Sequence, residues 1–521
     1  MQGTAIAEGD EFLRKFLWLL PLSALSMTAC GSGGVKSPFG QGEATEVPAG
    51  ALKAAVKDEQ SRRFYEANGW QAAWSKGLEK ELAEAIRNAP RHALLQSMFL
   101  DGQVPSDPAQ REARLTKAAL SYASALAFGR VDPVKTAEVY TLPRPQGDLA
   151  AGLTKAIADK KLAPWLDSLA PQTDEYRALS AAFLHYAQLA SSGGDQGVAE
   201  GKPIKPGERD PRVAQLVEAL KTNGYLAADA QLPAGEQRYL PAVASAVKAM
   251  QADFGLKADG VLGPDTLAIL NTGATERARQ IAVNMERRRW LAREMPETRI
   301  DVNTAATVLE YWRDGKLRNR RNVVVGQPDW ETPQLGSPMF QLVAHPTWTV
   351  PESIEQDELA SKSPAYFASQ NIVREGGKLV QQPGPKNALG AVKFDLKNDE
   401  AIYLHDTPAK ALFTTNERHR SHGCVRVQDA LGFARLIAGD DGVLDAFDKA
   451  FTSKPNDPSF VSLKKQIPVR LLYHTAFLDQ SGQIAFRTDV YGWDHDVAVA
   501  LGRPQATRYR LKRQTHGDVG P

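Results

Sequence analysis

Cysteine is nearly missing from this chain: its 521 residues contain two, Cys30 and Cys424. So small a number excludes the multi-bridge framework of a disulfide-stapled secreted domain. An excess of charge of one sign is missing as well. Lys and Arg number 63 against 61 Asp and Glu, a net charge of +2, which leaves no electrostatic footprint for a nucleic-acid partner. Two local basic clusters, "GKLRNRR" (315–321) and "RYRLKR" (508–513), read as solvated charge on a hairpin and a tail. No apolar run is long enough to span a bilayer: "FLWLLPLSALSMTA" has 14 residues, and a spanning helix needs roughly 20.

What is present begins with that run. Behind Arg14 and Lys15 it fits the h-region of an export signal. Glu8, Asp10 and Glu11 ahead of it are acidic where such signals are basic, which leaves the translation start open. The run ends in "MTAC", similar to a lipobox, with Thr28 and Ala29 before a cysteine that would carry lipid; Met27 stands where Leu is usual. "GSGGVKSPFGQGEATEVPAG" then has the composition of a flexible tether. Residues 1–30 are expected to be a lipoprotein-type signal peptide and 31–62 a tether. The mature protein is expected in the periplasm, at the cell wall, held to a membrane through Cys30. An ordinary signal peptide with an incidental Cys30 is the alternative. If Cys30 is lipidated, Cys424 has no partner for a disulfide, and an unpaired thiol in an oxidising compartment is a candidate for reactivity.

From 63 to 190 the pattern is helical and Ala/Leu-rich, with no acid, base or nucleophile constellation, and it reads as a scaffold. A Gly/Pro-rich linker, 191–210, follows. Val213, Leu216, Val217 and Leu220 then mark one apolar helix face, and Val243, Ala246, Val247, Met250 and Phe254 a second. "FGLKADGVLGPDTLAILN" adds a turn at Asp259-Gly260 and a helix start at Gly263-Pro264. This unit, 208–273, resembles the three-helix peptidoglycan-binding domain. A basic helix containing "NMERRRWL" is expected to connect it, over 274–298, to a mainly β region at 299–478, where short β-rich runs alternate with Gly, Pro and Asn turns. Within that region 351–373 is polar and helix-prone, and is expected to be a lid. Residues 479–521 are left as a C-terminal extension. The fold class is thus multidomain α+β.

The chemistry concentrates in "YLHDTPAKALFTTNERHRSHGCVRV" (403–427), which holds Cys424 with His405, His419 and His422. A thiol is nucleophilic as its thiolate, and a neighbouring histidine can take its proton. A hairpin-like connection can bring His405 beside Cys424. Gly423 lets the backbone bend and turns N–H groups toward an oxyanion. Arg426 shares a strand face with Cys424 if the strand is regular. Two other readings stay open: zinc held by the three histidines and Cys424, although one cysteine and a His-x-Cys spacing fit poorly, and a buried structural cysteine.

"SHGCVRV" with the upstream "YLHDT" resembles the signature of L,D-transpeptidases. "VVVGQPDWETPQLGSPMFQLVAHPTWTVPESI" (323–354), "QPGPKNALGAVKFDL" (382–396) and "DVYGWD" (489–494) are similar to the large periplasmic branch of that family, with His345 where Asn is commoner. The resemblance implies a β-sandwich-like catalytic domain with a lid. It implies a reaction in which Cys424 acylates itself with a tetrapeptide stem, releases D-Ala and passes the acyl group to an amine such as that of diaminopimelate, a 3–3 crosslink. His405 would be the base, and His422 and Gly423 would shape the turn; no role is implied for His419, which reads as a solvated loop histidine. Tyr403, Arg426 and Ser421 would face substrate, Arg426 alternatively holding the loop. No metal or organic cofactor is implied, and the partners are peptidoglycan stem peptides. Water, a protein lysine or a D-amino acid as acceptor, and a non-catalytic wall anchor, are the alternatives. The sequence leaves the oligomeric state open.

Overall fold

The computed structural model describes residues 46–503, apart from 103, 193–196, 228 and 231–235. The export signal, Cys30, the first part of the tether and the basic cluster at 508–513 lie outside the described residues. No helix among the described residues is long and apolar enough to cross a membrane.

The expected tether is too long. Helices Ala49–Ala55 and Glu59–Ala67 occupy its second half. Ala and Leu favour helix there, Leu52 and Val56 sit four residues apart on one buried face, and the Asp58 carboxylate caps the next helix by accepting from Ser61 N–H at 2.9 Å. These helices pack onto Pro108–Phe128, which starts with Pro at its first position behind Asp107.

The three helices expected after the linker run Val213–Thr222, Pro241–Asp253 and Pro264–Leu270. Gln251 explains the "DG" turn. Its side-chain Oε1 accepts from Gly260 N–H at 2.8 Å, and its Nε2 donates to Asp259 and Thr266. Gly260 has φ +76°, a conformation that favours glycine.

The helix Ala274–Trp290 is buried over most of its length, and without interruption from Ile281 to Trp290. It is the centre of the molecule and more than a connector. Arg289 and Glu286 pair with each other at 0% exposure, Arg287 pairs with Asp494, and Arg288 reaches Glu175 at 2.6 Å. The Arg277 guanidinium lies 4.2 Å from the Phe254 ring and 4.9 Å from that of Phe486. One helix therefore binds the scaffold, the three-helix unit and the C-terminal segment at once. That segment is equally integral. Leu501, Val497 and Ala498, the last two on the helix Trp493–Ala500, are buried against Trp290, Tyr140 and Val131. The reading of 479–521 as an extension fails for its described part, because its apolar residues close this core.

The β region begins with β1 (Arg299–Asn303), β2 (Val308–Arg313), β3 (Lys316–Gly326) and β4 (Leu335–Ala344). A small insertion holds β5 (Trp348–Thr349), β6 (Ile372–Glu375) and β7 (Lys378–Gln381). Then come β8 (Val392–Leu396), β9 (Leu404–His405), β10 (His419–Ser421), β11 (Val425–Val427) and β12 (Ser459–Leu472), with the hairpin β13 (Ala476–Leu478) and β14 (Ile484–Phe486). The main sheet runs β10-β3-β11-β9-β8-β4-β12-β1-β2, and β2 also pairs with β3. The sandwich-like layer is thus a sheet closed on itself, filled by Val323, Val325, Leu342, Phe394, Leu404, Val425 and Phe433. β9 and β11 run parallel, so the chain crosses over between them through 406–424 and makes no hairpin.

The lid is wider than 351–373. The helix Glu352–Ile354, a π turn over Glu355–Leu359 and the helix Pro364–Ser369 sit on the sheet β5-β7-β6. Together they enclose their own core of Trp348, Ile354, Leu359, Ile372, Leu379 and Leu389, which touches Tyr403. The two flanking strands are short β runs, and locally nothing distinguishes them from the strands of the main sheet.

Candidate active site

Cys424 sits in the turn between β10 and β11 and is 5% exposed. Gly423 before it has φ +113°, which requires glycine there. The Ser421 hydroxyl donates to the Cys424 carbonyl at 2.6 Å and accepts from Gly423 N–H at 3.2 Å. Ser421 is fully buried, so it braces the turn and does not face substrate as expected. Gly423 N–H, held by that hydroxyl, is not turned toward an oxyanion either.

The thiol lies 3.8 Å from the Ala401 carbonyl. Burial pushes it up to about 11, against the pull of hydrogen bonding to Tyr403 and of the Lys393 and Arg426 charges. His405, fully buried on β9, stands opposite Arg426 in register. Its Nδ1 meets the Asp406 carbonyl at 2.5 Å. A carbonyl only accepts, so Nδ1 carries the proton and Nε2 presents a lone pair. Among the described residues Nε2 has no hydrogen-bond partner. Burial, and then the Arg426 charge, hold the imidazole well below its ordinary range. Burial thus favours the neutral form of both groups. Asp406 is fixed in turn by Lys410 and by Ala391 N–H.

Tyr403 is half-buried. Its ring centre is 5.6 Å from that of His405, and the Lys393 ammonium lies 4.2 Å from its centroid. His422 points the other way, toward the lid: Nε2 meets the Glu358 carboxylate at 2.6 Å, and the ring rests edge-on at 4.8 Å from Trp330. Arg426 is 1% exposed. This burial fits a role in holding the loop and not a contact with a substrate carboxylate.

His419, expected as a solvated loop residue, is buried. Its Nδ1 bonds Glu417 at 2.8 Å and its Nε2 the Thr304 carbonyl at 3.0 Å. The three histidines thus turn to three different partners. Among the described residues no group of three or more His, Cys, Asp or Glu is arranged to hold a metal. Lys393, Trp330, Glu358 and Thr332 were not singled out from sequence. Lys393 alone carries a signal, a charge at an alternating position in the apolar run "AVKFDL".

Three family models match the chain: a "Scaffold domain" over 59–183, a "Putative peptidoglycan binding domain" over 209–270 and an "L,D-transpeptidase catalytic domain" over 297–446. A Haemophilus influenzae protein named "Putative L,D-transpeptidase" is 30% identical over 224 residues, 39% of this chain and 45% of that protein. The chain thus spans about half the length of that relative. Among solved structures, an L,D-transpeptidase from Mycobacterium smegmatis is 17% identical over 33% of this chain and 58% of its own, with a TM-score of 0.19. One from Xylanimonas cellulosilytica is 16% identical over 52% and 98%, with a TM-score of 0.16. Scores that low carry no weight. By these matches residues 297–446 are similar to the L,D-transpeptidase catalytic domain, and residues 209–270 ahead of them to a peptidoglycan-binding domain.

Proposed function

We propose that the protein is a peptidoglycan L,D-transpeptidase that works through Cys424. The observation that supports this best is a buried thiol just before β11 and, on its parallel neighbour β9, a buried His405 whose Nε2 has no partner among the described residues. The stem peptide donates its acyl group at the L-centre of diaminopimelate. The Cys424 sulfur bonds that carbonyl carbon while His405 Nε2 takes the thiol proton. The C–N bond to D-Ala then breaks, and His405 returns the proton to the leaving amine. In the second half an amine gives its proton to His405 and attacks the thioester. If that amine is diaminopimelate's, the product is a 3–3 crosslink. The thioester conserves the acyl bond, so no cofactor is called for.

The lid supports transfer over hydrolysis, because it covers Tyr403 beside the thiol and can keep water from the thioester. The three-helix unit supports a peptidoglycan partner. We place the mature protein in the periplasm, tethered through a lipidated Cys30. Cys30→Ser should then release it into the soluble fraction, and an unchanged fractionation would remove the anchor.

The test of the activity is direct. Full-length protein is incubated with a carbapenem and its intact mass read, then with purified tetrapeptide muropeptides. Wild type should gain the carbapenem's mass and make crosslinked dimer, and Cys424→Ala neither. Tripeptide alone would mean a carboxypeptidase, and exchanged termini a D-amino-acid transferase. A folded wild type that reacts with neither would mean a wall anchor.

A further inference from the structure

Thr332 stands 91 positions from Gly423, yet its hydroxyl donates to the Gly423 carbonyl at 2.7 Å. The same oxygen accepts from Gly326 N–H at 2.9 Å. Gly326 is in turn held from the C-terminal segment, where the Tyr491 hydroxyl donates to its carbonyl at 2.6 Å. Thr332 is fully buried and Tyr491 nearly so. A side chain at Gly326 would put its Cβ 2.0 Å from the Trp330 carbonyl, so the 327–332 loop folds tightly over this point. The chain of contacts ends at the peptide that joins Gly423 to Cys424.

That peptide is planar and trans, so its C=O and N–H point in opposite directions. Holding the Gly423 carbonyl on Thr332 therefore also sets the direction of Cys424 N–H. The neighbouring Gly423 N–H is already held by Ser421, which leaves Cys424 N–H as the donor of this turn nearest the nucleophile. We propose that Thr332, backed by Tyr491, is a positioning residue that aims Cys424 N–H at the oxyanion formed when the Cys424 sulfur adds to a carbonyl. This rests on the reading of Cys424 as the acylated nucleophile. With a carbapenem, the sulfur bonds the β-lactam carbon and the carbonyl electrons move onto oxygen. They return as the C–N bond breaks, and the ring nitrogen takes the proton.

The test compares two reactions of one thiol. Iodoacetamide alkylation displaces iodide and forms no oxyanion, whereas carbapenem acylation needs one. Thr332→Val keeps the shape and removes the hydroxyl; Thr332→Ser keeps the hydroxyl. In full-length protein, Thr332→Val should acylate at least about tenfold more slowly, since loss of one oxyanion donor costs roughly a hundredfold or more. Its alkylation rate should stay within about twofold of wild type, and Thr332→Ser should acylate normally. Equal losses in both reactions would overturn the proposal in favour of general loosening of the turn, as would normal acylation in Thr332→Val. If Thr332→Val does not fold, Tyr491→Phe takes the same pair of measurements, and slowed acylation with intact alkylation is again required. A wild type that is not acylated at all is a different result. It removes the nucleophile reading itself and is seen before any variant is compared.

Discussion

Two buried polar regions of this molecule are built in opposite ways. Along Ala274–Trp290 the buried charges of Arg287, Arg288 and Arg289 each find a carboxylate and that of Arg277 two aromatic rings, although some guanidinium nitrogens of Arg277, Arg279 and Arg287 have no hydrogen-bond partner among the described residues. Around Cys424 the sheet buries a thiol and an imidazole and leaves His405 Nε2 without a partner. Burying an ion is tolerable when it is paired, and leaving a buried acceptor open costs stability. The first region therefore reads as architecture that fixes the scaffold, the three-helix unit and the catalytic sheet on one another. In the second, stability is given up so that a lone pair stays available. Breaking each region should cost a different thing.

The largest effect is expected from the paired region. Arg289→Ala leaves the Glu286 charge at 0% exposure without its ionic partner, held by the Arg130 and Val131 N–H groups, which should destabilise the fold by about 3–5 kcal/mol. Chemical denaturation measures it. The acylation rate per folded molecule should be unchanged. A large loss of stability accompanied by slow acylation in the folded fraction would show that the two regions are coupled.

His405→Gln is the converse. The glutamine amide can still donate to the Asp406 carbonyl, so the fold should melt near the wild-type temperature. Carbapenem acylation should fall about a hundredfold, the scale of a lost general base. A normal rate would take His405 out of the mechanism.

These two regions were not equally legible in the sequence. The proposed nucleophile and base stood out because "HGC" and "YLHD" put rare reactive residues in β-rich runs. The three-helix unit stood out by its periodicity. Their geometry was less readable. The step of 19 positions from His405 to Cys424 allows either a hairpin or a crossover, and only the sheet order decides for parallel strands. The arginine-rich helix looked like a mere connector because its partners Glu175 and Asp494 lie more than 100 positions away. His419 looked exposed for the same reason, since its acceptor Thr304 comes from the start of the β region. Local pattern reports which residues can react or pack. It is silent on charges that are neutralised from far along the chain.

The state of the thiol sharpens the contrast further. Burial holds Cys424 up at about 11 and His405 well below its ordinary range. At pH 7 only about one molecule in ten thousand carries thiolate, from the ratio set by four pH units. Iodoacetamide alkylation should therefore climb about tenfold per pH unit from pH 7 to pH 10, with no plateau near neutrality. His405, already neutral at pH 6, should add no acid limb there. A rate that is flat from pH 6 to pH 9 would mean a preformed thiolate–imidazolium pair.

The smallest expected effect lies at the seam between the lid and the site. Glu358 sits in the π turn of the lid, and its carboxylate meets His422 Nε2 at 2.6 Å. His422 is two residues from the nucleophile and is held on its other side by Trp330. π turns recur at functional sites because they displace a side chain from the helical repeat, and here the displaced carboxylate reaches the catalytic turn. This polar contact closes the lid from outside, while Trp348, Ile354 and Leu359 hold it together from within. Glu358→Ala removes the contact without touching that core. The lid should then open more often and admit water to the thioester, at a cost of about 1 kcal/mol or less for one partly exposed contact. The carbapenem acylation rate should stay within about twofold of wild type, and the ratio of hydrolysed tripeptide to crosslinked dimer should rise about two- to fivefold. The ratio is read by chromatography of the muropeptide products, with His422→Asn as a second route to the same seam. An unchanged ratio in both variants would mean that water is kept from the thioester by the lid's apolar core alone.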